Sequence, residues 1–134
     1  MALLLAATAC DPGPPPSEKA AGAARAFIEA FAAGDYAKAA RHAEGDVLRG
    51  VEVQRRAREE ERAAHPAEVA LFEKAMREHP PRVEVLPPRD AGDHLEVRVV
   101  VTTDSPRGPE RTRYALRLAK GRTEVWRVRA WERR

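Results

Sequence analysis

The chain's only thiol is Cys10, which follows Ala7-Thr8-Ala9 and precedes Asp11-Pro12-Gly13-Pro14-Pro15-Pro16. The small residues before it leave the backbone open to a modifying enzyme, and a thiol accepts a stable covalent group. One cysteine excludes an internal disulfide. The four histidines, His42, His65, His79 and His94, are far apart in sequence and have none of the close spacing of a zinc site. No metal is expected. No glycine-rich phosphate loop and no Gly-x-Ser-x-Gly turn is present, so no cofactor is expected either. Arginine dominates the remaining charge. Lysine occurs only at positions 19, 38, 74 and 120, and the formal net charge is +3.

The elements that must position these groups can be read from periodicity. The apolar run before Cys10 is far shorter than the roughly 20 residues of a membrane-spanning helix and fits a signal-peptide core. Residues 1–9 read as that leader, residues 10–16 as a tether, and residues 17–134 as one domain. A tether of six residues in an extended proline-rich conformation reaches about 19 Å. Ser17 reads as a helix N-cap, and Ala20, Ala24, Phe27, Ile28 and Phe31 recur on one helical face. Gly34 is placed to end that helix, and Asp35 to cap a short second one. Gly45 and Gly50 should interrupt the segment after it. From Glu52 to Ala64 the chain is highly charged, with Arg55/Glu59 and Arg56/Glu60 spaced as i,i+4 pairs. Pro66 restarts a helix with Val69, Phe72, Ala75 and Met76 as its stripe, ended by Pro80-Pro81.

After Pro81 the period changes to alternation. Strands are expected at 82–85, 94–103, 111–119 and 123–131, with a loop at residues 104–109 and a hairpin at Lys120-Gly121-Arg122. Helices first and then strands with short connections predict an α+β domain, with helices on one face of a curved antiparallel sheet of about four strands. The inward, pocket-lining set is then Phe27, Phe31, Tyr36, Val97, Val99, Tyr114, Leu116, Trp126 and Val128, with Ala130 in phase. The outward set is Arg98, Arg113, Arg117, Arg127, Arg129 and Trp131. The inward strand positions carry no carboxylate or histidine. Asp35, Asp46 and His42 lie at helix ends, from which they could reach the mouth of a pocket.

Ala7-Thr8-Ala9-Cys10 resembles the lipobox of bacterial lipoproteins, although no Lys or Arg precedes Leu3 and Ala7 stands where the pattern favours Leu. That resemblance implies a lipidated Cys10 and a place in the cell envelope, anchored to a membrane on its extracytoplasmic side. The run Phe31-Ala32-Ala33-Gly34-Asp35-Tyr36-Ala37-Lys38-Ala39 and the ending Thr123-Glu124-Val125-Trp126-Arg127-Val128 are similar to the nuclear transport factor 2-like (cystatin-like, ketosteroid-isomerase-like) superfamily. This second resemblance implies a conical pocket between helices and sheet, with no fixed activity.

The expected function is that of an envelope lipoprotein with a small non-enzymatic ligand-binding or protein-interaction domain. The alternatives are a small-molecule isomerase or hydratase of the ketosteroid-isomerase type, or a basic surface-binding module. The expected partners are the membrane, through the lipid, and a protein or second copy at the sheet face. Nucleic acid is not expected, because base stacking requires exposed aromatics beside the arginines and only Trp131 qualifies.

Overall fold

The computed structural model describes residues 16–120 and 125–134. The leader, Cys10, the tether as far as Pro15 and the hairpin at Gly121-Arg122 lie outside them. Helix α1 (Pro16–Ala32) buries Ala20, Ala24, Phe27, Ile28 and Ala30, the face that helical spacing selects. It starts at Pro16, so Ser17 is its second residue and the last proline of the tether reading belongs to the helix. Proline is well tolerated there because a first-turn N–H has no intrahelical partner to lose.

The end of α1 is a Schellman turn. The Asp35 N–H donates to the Ala30 carbonyl and the Gly34 N–H to that of Phe31, with Gly34 at φ 78°. Glycine takes this left-handed conformation without a Cβ clash. Asp35 then caps α2 (Tyr36–Ala40), accepting from the Lys38 backbone N–H at 3.2 Å.

Gly45 opens α3 (Gly45–Ala64) with φ 59°, but Gly50 does not break it. Helix α3 runs twenty residues because Val47 and Val51 are buried one turn apart on either side of Gly50, and tertiary burial outweighs a glycine penalty of about 1 kcal/mol. No atom lies within 4 Å of a Cβ added at Gly50. Gly50→Ala is therefore expected to raise stability by about 0.5–1 kcal/mol, measurable as a higher urea midpoint. A lower midpoint would show that a bend at this position is needed.

The charged stretch of α3 pairs differently from its i,i+4 spacing. Arg55 bonds Glu52 at 2.7 Å, Arg58 approaches Glu61 at 3.9 Å, and Arg62 reaches across to Glu73 of α4 (Pro66–Glu78). For Arg55, the partner on the N-terminal side also suits the helix dipole. In α4 only Val69 is buried.

Among the described residues, four helices gather on one face of a five-stranded antiparallel sheet that is not closed, with α1 and α3 making most of the contact with its strands. Its order is β1 (Arg82–Val85), β3 (Leu95–Ser105), β4 (Gly108–Lys120), β5 (Trp126–Arg133), and β2 (Arg89–Asp90) shares the β3 edge with β1. The loop expected at residues 104–109 shrinks to a two-residue reversal, Pro106-Arg107, because β3 and β4 stay paired out to Ser105 and Gly108. The Ser105 hydroxyl donates to the Gly108 carbonyl at 2.8 Å and locks the turn. Val97, Val99 and Val101 face the helices together with Leu116, Leu118 and Val128.

The last strand departs from simple alternation. Leu118 pairs with Val128 but Arg117 pairs with Ala130, so Arg129 has no cross-strand partner. This β-bulge inserts one residue and reverses the phase beyond it. Trp131 therefore turns toward the helices and Ala130 away, the opposite of the alternating expectation. Across the other edge of β5, the Val128 N–H donates to the His42 carbonyl and the Glu44 N–H to the Val128 carbonyl. Arg129 leaves the sheet face to pair with Glu44 at 3.0 Å.

Candidate functional site

The space between helices and sheet is filled. Of the inward set, Phe27, Val97, Leu116 and Val128 have no exposed surface and Val99 retains 1 %. Phe31, Tyr36, Tyr114 and Trp126 are partly buried around them. Trp131 supplies the centre of an aromatic cluster. Its ring meets Phe31 edge-on at 4.8 Å and Phe27 edge-on at 5.4 Å, and stacks on Tyr114 at 5.3 Å. No polar or charged residue is buried among the described residues. A general base must stand within hydrogen-bond reach of its substrate, and the interior offers none.

The acids at the helix ends are committed elsewhere. Asp35 caps α2, and Asp46 pairs with Arg49 within α3. His65 and His79 bracket α4. His94 bonds Asp93 at 2.7 Å, and that hydrogen bond holds the Asp93 carboxyl below its usual range. His42 sits beside β5, where burial, and then the charges of Lys38, Arg41 and Arg127, hold its imidazole below the ordinary histidine value.

Two recesses among the described residues have arginines in their walls. The first, of about 450 Å³, lies between the α1–α2 turn and the α3–α4 pair, with Tyr36, Arg58 and Met76 in its wall. The Arg58 guanidinium lies 4.4 Å from the Phe72 ring centre and 5.9 Å from that of Tyr36, a cation–π arrangement that ties α4 to α2. Arg55, Arg58 and Arg62 in this recess all have carboxylate partners, so their charge is largely spent within the fold. By composition the charged stretch reads as a solvated face. The signal against that is spacing, since Arg55 and Arg58 follow buried Val51 by four and seven residues on the same stripe.

The second recess, of about 610 Å³, lies on the outer face of the sheet. Leu86 and Val100 form its apolar floor, and Glu84, Arg98, Arg111, Arg113 and Arg134 surround it. Val100 is 7 % exposed although no helix covers it, which fits arginine stems lying over the strand. Arg98, Arg111 and Arg113 have no carboxylate partner among the described residues, whereas Arg134 bonds Glu132 at 2.9 Å. Of the expected outward set, Arg98, Arg113, Arg117 and Arg127 hold outer-face register positions. The bulge removes Arg129 and Trp131. Arg111 and Arg134 join instead. Arg111 was legible, being two residues before Arg113 in an alternating strand. Arg134 was not, because its place depends on the bulge and on its N–H bond to the Arg113 carbonyl.

No helix among the described residues is long and apolar enough to cross a membrane. No protein-family model matches the chain, and no curated protein is similar to it beyond chance.

Proposed function

We propose that the protein is a lipid-anchored lipoprotein of the cell envelope whose domain, with a nuclear transport factor 2-like plan, docks an acidic protein surface and catalyses no reaction. The observation that carries this reading is the outer recess, where three arginines without carboxylate partners among the described residues ring an apolar floor. Unpaired arginine beside buried aliphatic surface is the composition of an interface anchor. The planar guanidinium also suits carboxylates, which it can bind in two-point fashion. The filled interior supports a surface role over an internal one. Glu84 within the recess adds selectivity, because a partner with an acid at that position is repelled.

A photocrosslinking residue at position 111, in the full chain in its own host, tests this. A discrete adduct is expected, and it should be lost in the Arg98→Glu/Arg113→Glu variant. An adduct of twice the chain mass would make the partner a second copy and overturn the acidic-partner reading. The absence of any adduct, or one indifferent to the charge reversal, would end it as well.

A further inference from the structure

We propose that the end of the domain from which the tether leaves is a seat for an anionic phospholipid surface. This inference rests on the lipid-anchor reading above. The first turns of α1 line a shallow hollow of about 350 Å³ in which Lys19 stands with His42, Val125 and Trp126. Lys38 and Arg41 come off α2 and its C-cap close by, and Arg127 follows Trp126. The charges of Lys38, Arg41 and Arg127 converge on His42. Lys19, Lys38, Arg41 and Arg127 have no carboxylate partner among the described residues. Val125 is 46 % exposed, and Trp126 is partly exposed beside it. Basic side chains around a partly exposed indole match a membrane interface, with cations toward phosphates and the ring at headgroup depth.

Chain geometry gives this end its occupant. Pro16 stands six positions after Cys10, so α1 cannot begin more than about 20 Å from the acyl-bearing residue. A bilayer that holds Cys10 therefore lies within reach of this hollow, which the first turns of α1 line. The outer recess is distant from it. Arg127 pairs with Ala119, whereas Arg113 lies six residues further along β4, about 20 Å away. Lipid and acidic partner can therefore be engaged together.

The test uses the full chain carrying Cys10→Ala, which removes the acyl group, with vesicles of phosphatidylcholine alone or mixed with phosphatidylglycerol. Binding is expected only to the mixed vesicles. Each basic side chain contributes about five-fold in affinity, so Lys38→Gln/Arg41→Gln/Arg127→Gln should weaken binding by about 100-fold. The leader is common to both variants, so the difference reports the patch. Brominated phospholipid should quench emission in the parent and not in Trp126→Phe, because Trp131 sits in the aromatic cluster. Equal binding to both vesicle types, an unaffected triple variant, or unquenched emission would each overturn the seat. Displacement by inorganic phosphate at matched ionic strength would assign the cations to free anions and also overturn it. Intact mass of the unsubstituted chain from host membranes tests the anchor separately. An unmodified Cys10 with retained vesicle binding would remove the anchor and leave the seat, and an acylated Cys10 without vesicle binding would do the reverse.

Discussion

Trp131→Ala is expected to destabilise the domain by about 3 kcal/mol, the low end for removing a large aromatic from a core. The ring is only partly buried, which sets the low end, yet it bridges Phe27, Phe31 and Tyr114. Edge-on and stacked aromatic pairs add about 0.5–1.5 kcal/mol each beyond their buried area. In a chain of this size the loss should lower the melting temperature by about 10–15 °C. Ala130→Gln, one residue earlier on the opposite face, should change stability by no more than about 0.5 kcal/mol. Urea unfolding of both variants decides the matter. If the two costs were reversed, the strand would be in simple alternation and the bulge absent.

Gly34→Ala is the second large effect, at about 2 kcal/mol of destabilisation. Two costs combine. An L side chain at φ 78° costs about 1–2 kcal/mol, and the added Cβ would stand 3.0 Å from the Phe72 ring. Phe72 must then shift, and the Arg58 guanidinium stacked on it loses its platform. A double-mutant cycle with Phe72→Leu separates the two, since the smaller side chain relieves the contact but not the backbone strain. A cost below about 0.5 kcal/mol for the single variant would contradict the positive φ. The sign contrasts with Gly50→Ala, where the same added methyl group meets open space.

Much of the fold was legible because the signals were local. The Gly34 turn and the Asp35 cap depend on backbone conformations that few other residues adopt, and the strand alternation at Val97, Val99 and Val101 depends on a period of two. Expectations failed where non-local packing decided. The continuity of α3 through Gly50 reflects burial of Val47 and Val51 beneath it, which propensity does not register. The Arg58 contact with Phe72 joins residues on separate helices. At the candidate site, Arg98 and Arg113 were readable from alternation within continuous strands. Arg129 and Trp131 were not, because an extra residue in β5 leaves no compositional trace. The arginine at 129 and the alanine at 130 look the same in a bulged strand as in a regular one.

That bulge makes the final strand's inside and outside a matter of counting. Replacing Arg129 would change one side chain and its tie to Glu44. Deleting it would close the ladder without a bulge, leaving Ala130 opposite Arg117 and Trp131 opposite Leu116, so that every residue beyond keeps its side. What keeps the indole inside is the kink that absorbs the surplus residue, and the chemistry of the side chain at 129 is incidental to it.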